Sequence, residues 1–272
     1  MATRGKTPVV LTIAGFDPSS GAGVTADLQA FAAHGCFGVA CITALTVQST
    51  RGVRRVYPVG RTVRETLSEL AADLPIDAVK IGMLGSAEVV DAVAAFLRRH
   101  RPAHVVLDPI LKSSSGAKLL APSAIGALAR KLLPLATVVT PNMDEAAVLT
   151  GMRVRDLPDM RAAAGKLHDL GAKAVIVTGG HLREPVDLVS VAAWRQKEPF
   201  IDFIEIRGRK VRSRSTHGTG CAFSSALAAN LALGKDLPES ARLAHQYVAR
   251  AIQTARPLGQ GNGPLNLLWP LR

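Results

Sequence analysis

The sequence predicts an α/β protein, a mostly parallel sheet covered by helices on both faces. Three observations carry that prediction. Apolar runs of strand length alternate with helix-periodic segments along the 272 residues. Hydrophobic residues make up 48% and charged residues 20%, a balance that can bury a large core without staples. No low-complexity linker or internal repeat breaks the alternation, so residues 1–272 read as a single domain. In such folds ligands bind at the carboxyl ends of strands, so the loops after strands are the informative ones.

The elements follow in order. Arg4 and Lys6 precede the apolar run Val9–Ala14, which could imitate a secretory leader. The run stops at Asp17-Pro18 without a small-residue cleavage site, so it reads as a strand entering a glycine loop. Val24–His34 has helical periodicity and ends at Gly35; Val39–Val47 reads as a buried strand. Thr62–Asp73 is helical, Ala78–Met83 a strand, and Ala87–Arg99 a helix with Pro102 beyond it. Val105–Leu111 reads as a strand interrupted by Asp108-Pro109, Pro122–Leu133 as a helix and Thr137–Thr140 as a short strand. A helix starts at Met143 behind the N-cap candidate Asn142. Ala174–Thr178 is a strand running into Gly179-Gly180, and Val186–Trp194 and Phe200–Val211 are two strands with no helix between them. Cys221–Leu233 and Glu239–Thr254 are the closing helices. No apolar run approaches the ~18 residues that span a bilayer. The three cysteines, Cys36, Cys41 and Cys221, have no CxxC spacing, so a zinc site or a disulfide framework is not indicated. They fit a reducing compartment, the cytoplasm.

Four loops could carry chemistry. The first, Gly15–Gly23, links a strand to a helix, and Gly21–Ala26 even satisfies GxGxx[GA]. A dinucleotide site needs an acidic residue about 20 positions on. Residues 28–64 contain none, and the loop lacks the GK[ST] of a P-loop, so both readings are rejected. A tight connection without a ligand remains the alternative. The second loop, Thr216–Cys221, opens a small-residue helix. Gly218, Thr219 and Gly220 let the backbone approach a ligand, and the free amides of the first turn form an anion site suited to phosphoryl transfer. A helix N-terminus also lowers a thiol pKa, making Cys221 a candidate base or polar substrate contact. Cys36 and Cys41, in apolar runs, read as structural. The third loop, Thr140–Glu145, either helps to hold magnesium through water or forms a capping box of Asn142 with Glu145. In the fourth, Asp108 is a lone carboxylate at a strand end, followed by Lys112–Gly116; an ordinary polar turn is the alternative. His181 and His217 read as polar loop residues.

The order of these loops resembles the ribokinase-like kinases of vitamin metabolism, and more narrowly the hydroxymethylpyrimidine/phosphomethylpyrimidine kinase family of thiamine biosynthesis. The matching pieces are LTIAGFDPSSGAGVTADLQAF, ITALTVQSTRGV, KIGMLG, VVLDPIL, TPNMDEAAVLTG, VTGGH, HGTGC and GQGNGPL. The resemblance implies a ribokinase-like three-layer sandwich. It implies ATP-dependent phosphorylation of 4-amino-5-hydroxymethyl-2-methylpyrimidine and then of its monophosphate, with Mg2+, in a homodimer. By the same resemblance Gln48, Asp27, Met83, Gly15 and Ala22 match pyrimidine-pocket positions. Gly218, Thr219, Gly220 and Cys221 match the anion hole and base. Asp108, Asn142 and Glu145 match the positions that organise Mg-ATP, with Asp108 and Glu145 near the metal through water. Thr178 and Gly180 stand at the nucleotide phosphates.

The chain departs from the family pattern at two lysines, replaced here by Thr178 and Ser114; Lys112 and Lys118 are the expected compensation for the second phosphorylation. A pyridoxal or pyridoxine kinase of the same branch shares GTGC, but Gln48 and Met83 favour the pyrimidine. The net charge of +12 also admits a nucleic-acid module. With 4% aromatics and scattered basic residues, that reading is set aside.

Overall fold

The computed structural model describes residues 6–113, 116–117, 119–180, 182–195, 198–211 and 213–271; Ser114, Lys118 and His181 lie outside them. The strands are β1 (Val9–Phe16), β2 (Phe37–Ser49), β3 (Gly52–Pro58), β4 (Ile76–Ile81), β5 (His104–Leu107), β6 (Val138–Val139), β7 (Ala174–Gly179), β8 (Val186–Arg195) and β9 (Glu198–Arg207). They form one sheet of order β3-β2-β1-β4-β5-β6-β7-β8-β9. The interior from β2 to β7 is parallel, while β3, β8 and β9 join antiparallel at the two edges.

Helices α1 (Gly23–Ala33), α2 (Gly60–Asp73), α3 (Ala87–His100), α4 (Pro122–Lys131), α5 (Met143–Thr150), α6 (Leu157–Asp169), α7 (Thr219–Ala232) and α8 (Leu237–Gln253) cover it. Strand alternation sends Leu11, Ile13, Val79, Ile81 and Leu107 into a core shared with α2 to α6. Val10, Ala78 and Val106 face the opposite core, built with α1, α7 and α8. This is the three-layer arrangement expected. Every residue of α7 from Cys221 to Leu231 is buried, as its nearly all-apolar, small-residue composition requires.

The structure departs from the sequence reading at one strand end and in two elements that had no reading, among other small shifts. The strand expected to reach Leu111 stops at Leu107, and Asp108-Pro109 begins the loop. Proline has no amide to give to a ladder. The exposed edge strand β3 and helix α6 had no reading in the sequence.

Candidate active site

The carboxyl ends of β1, β2, β4 and β5 meet the N-terminus of α7. Gly218 caps α7 with φ +82°, a conformation natural to glycine. A Cβ there would collide with the Gly21 carbonyl oxygen. The first glycine loop and the second are thus packed backbone to backbone. Gly15 lies against the Met83 thioether, where a Cβ would come within 2.9 Å of Sδ. Thr43 Oγ1 donates to the Met83 carbonyl oxygen at 2.6 Å, fixing that strand end. The structure therefore brings Gly15, Ala22, Met83 and Gly218–Cys221 into one region.

Gln48 joins them through a residue that the sequence reading treated as an ordinary loop histidine. His217 Nε2 lies 2.9 Å from Asp17 Oδ2, and Gln48 Nε2 lies 3.0 Å from the same ring nitrogen. Asp17 also accepts from the Ser19 and Ala22 amides. Burial alone would raise the Asp17 carboxyl, but hydrogen bonds from His217 and Ser19 outweigh it and hold it below its ordinary value. The FDPSSGAG and STHGTGC pieces contain this pair, yet nothing in either piece alone signals the contact.

Asp27, expected to touch the ligand, is fully buried beneath the pocket. Thr12 and Lys80 are register partners on β1 and β4, and both donate to Asp27. Thr12 Oγ1 does so at 2.6 Å, and Lys80 Nζ at 3.0 and 2.9 Å to the two oxygens. Ser225 of α7 donates to it at 2.7 Å. Lys80 and Asp27 both have 0% side-chain exposure. Burial disfavours the ammonium, but Asp27, followed by Cys221 and Asp108, holds its pKa well above the ordinary lysine value. The neighbouring Ser224 donates to Asp108 Oδ2 at 3.0 Å. Adjacent serines one turn into α7 therefore tie the anion loop to Asp27 and to Asp108.

At Cys221 burial opposes the thiolate that a helix N-terminus would favour. Burial pushes the Cys221 thiol up to about 12; Lys80 pulls down, Asp27 and Asp108 push up, and the Gly23 amide pulls down. Burial therefore favours the neutral thiol over the thiolate at this position. Cys36 and Cys41 are buried and unpaired, as their apolar runs suggested.

Asn142 and Glu145 form the capping box of α5. The Glu145 amide donates to Asn142 Oδ1 at 2.9 Å, and the Asn142 amide donates to Glu145 Oε2 at 3.0 Å. Asn142 also bridges Thr178 at the end of β7. Burial raises both Asp108 and Glu145, and the charge of Asp108 adds to the effect on Glu145. A nearby divalent cation would relieve both. Among the described residues no group of three His, Cys, Asp or Glu forms a full metal cage. Two carboxylates suit magnesium, whose remaining shell comes from water and substrate phosphates. Beside Gly180 the structure supplies a cation not foreseen: Lys210 Nζ donates to the Gly180 and Leu182 carbonyl oxygens at 3.0 and 3.1 Å.

Comparison with known proteins bears on the same residues. A phosphomethylpyrimidine kinase family profile matches residues 17–266. The thiamine biosynthesis bifunctional protein ThiED of Geobacter sulfurreducens is 44% identical over 260 residues; these cover 94% of this chain but 51% of that protein. The chain thus spans about half the length of that relative. The hydroxymethylpyrimidine/phosphomethylpyrimidine kinase of Streptomyces coelicolor is 42% identical over 267 residues, covering 97% of this chain and 96% of that one. Among solved structures, a Staphylococcus aureus pyridoxal kinase in complex with AMP-PCP and pyridoxal superposes with a TM-score of 0.84 at 31% identity. It covers 97% of this chain and 94% of its own.

Proposed function

The chain belongs to the phosphomethylpyrimidine kinase family, and from that premise we propose that it transfers the γ-phosphoryl group of ATP to a hydroxymethylpyrimidine and then to the resulting monophosphate, in thiamine biosynthesis. The observation that carries this reading is the packing of the Gly218–Cys221 amides against the loop that holds Gly15 and Ala22, with Gln48 and Met83 beside it.

In this reading Gln48 recognises the aminopyrimidine edge, because its amide offers a donor and an acceptor. The His217 ring nitrogen carries one proton at most. It donates that hydrogen to Asp17, so the ring nitrogen has no lone pair for the Gln48 amide N–H, which a ligand can then recruit. Met83 and Gly15 form an apolar wall, and Ala22 closes the loop side. Asp27 is a positioning residue, anchoring α7 through Ser225. The amides at Gly218, Thr219, Gly220 and Cys221 face the charge that develops during transfer. The neutral Cys221 thiol is a polar contact at that site. Asp108 and Glu145 would hold Mg2+ through water, and the cation would offset charge on the phosphates. Asn142, Thr178 and Gly180 form the nucleotide edge, with Lys210 beside Gly180.

The chain acts as one kinase domain, since a single continuous sheet runs through it. Among the described residues no helix is long and apolar enough to cross a membrane. Three buried free thiols suit the cytoplasm. A homodimer is supported by an apolar strip, Leu45, Val47 and Tyr57, exposed on the β2–β3 edge; Leu45 and Tyr57 are direct cross-strand partners. A coupled ADP-release assay compares the pyrimidine alcohol, its monophosphate and pyridoxal side by side. The expected order puts both pyrimidines above pyridoxal; turnover with pyridoxal alone would refute the assignment.

A further inference from the structure

The β2–β3 hairpin carries Arg51 at its turn and Arg54 on β3. A cavity of about 640 Å³ lies between this tip, with Ser49, Arg51 and Arg54 on its wall, and Gly116–Ala117 of the loop after β5. Arg51 also lines a smaller cavity of about 170 Å³, whose wall includes Gln48 and His217. Arg51 therefore shares a cavity with His217, the residue that directly precedes Gly218. Among the described residues lining these cavities none is acidic. Among the described residues neither guanidinium has an ion pair.

The tip is also held in place. The Gly261 amide donates to Thr50 Oγ1 at 3.3 Å, and a Cβ at Gly261 would collide with the Thr50 carbonyl oxygen. The GQGNG segment thus packs directly on the turn that presents Arg51. A cation on a fixed turn loses less freedom when it binds than one on a loose loop.

We propose that Arg51 and Arg54 form a phosphate-binding subsite that recognises the phosphate monoester of the second acceptor. The proposal rests on the reading of the chain as a kinase of both pyrimidines, and names what distinguishes them. The alcohol carries no charge at its reacting arm, whereas the monophosphate brings one to two negative charges toward the γ-phosphate of ATP. In the second transfer an oxygen of the acceptor phosphate forms a bond to the γ-phosphorus. The bond from that phosphorus to the β–γ bridging oxygen breaks, and ADP leaves with the electron pair. Guanidinium groups pair with phosphate oxygens bidentately and keep their charge at any working pH. Lys112, one of the two lysines expected to compensate, lines neither cavity.

The test uses the full chain with Arg51→Gln, Arg54→Gln, the double variant and Arg51→Lys, each checked for an unchanged melting curve. The double variant is expected to raise KM for the monophosphate about tenfold or more, with KM for the alcohol and for ATP within about twofold. Calorimetry without nucleotide should show the monophosphate weakened to the same degree and the alcohol unaffected. Arg51→Lys should recover part of the loss, since it returns the charge but not the fork. Equal changes for both acceptors, or none, would overturn the subsite, as would a wild type that phosphorylates the alcohol alone. A wild type inactive on both pyrimidines would overturn the kinase reading, and the subsite with it.

Discussion

Removing the Lys80 ammonium would strand the Asp27 carboxylate in a site with no solvent. Lys80→Met is therefore expected to cost about 3–5 kcal/mol of stability, whereas Lys80→Met with Asp27→Asn removes both charges and should recover most of it. Urea denaturation of both variants checks this; equal losses would show that packing, not charge, is at stake. Gln48→Ala should raise KM for the pyrimidine by the equivalent of about 1–3 kcal/mol while ATP is little affected. Equal effects on both Michaelis constants would remove Gln48 from the pocket. At Cys221 burial holds the thiol well above its ordinary value, so little thiolate is present at neutral pH. Iodoacetamide should hardly label Cys221 at pH 7 in the folded chain, and fast labelling would reinstate the activated thiolate. Asp27 and Gln48 are readable from sequence because their motifs name them. The Lys80 side chain is not, because its partner Asp27 lies 53 residues away on α1 and only the packing of that helix on the β1–β4 pair brings them together.

Among the elements, α5 shows how two sequence readings can share the same atoms. Asn142 and Glu145 cap the helix, and the same pair is the one we propose at the nucleotide edge. The spacing S/T/N-x-x-E made the cap legible; burial of Glu145 was not. Strand β3 was missed because its residues alternate weakly and lie half-exposed at a sheet edge, and β5 was overextended across Asp108-Pro109. The join between α8 and β8 carries a pH signature. His245 Nδ1 lies 2.7 Å from Asp187 Oδ2, whose other oxygen accepts from the Gly179 amide. The Asp187 hydrogen bond raises the His245 pKa above its usual value, against burial, and the aspartate charge adds to it. The contribution is thus complete below the unfolded histidine pKa of about 6.5 and fades as pH climbs through the higher folded value. His245→Gln should lower the melting temperature most near pH 5.5 and progressively less toward pH 8.5. A deficit that grows with pH would contradict the pair.

At the scale of the whole molecule, the layer architecture was legible because strand and helix periods alternate cleanly, while quaternary structure had no signal beyond resemblance. Leu45→Lys with Val47→Lys on the β2–β3 edge should convert a dimer to a monomer in sedimentation velocity; a wild type already monomeric would refute the interface. A different consequence follows from the abutting glycine loops. Asp17 and His217 stand 200 residues apart in the chain. Helices α7 and α8 cover the face of the sheet that Val10, Ala78 and Val106 present, so neither that core nor the pocket closes before the last helices are made. Contacts so distant in sequence close slowly. In refolding, helical circular dichroism should therefore return before ADP release does, and simultaneous recovery would argue against this order. In this reading catalytic competence is a late event in the life of each polypeptide, reached only when the segment around His217 meets Asp17.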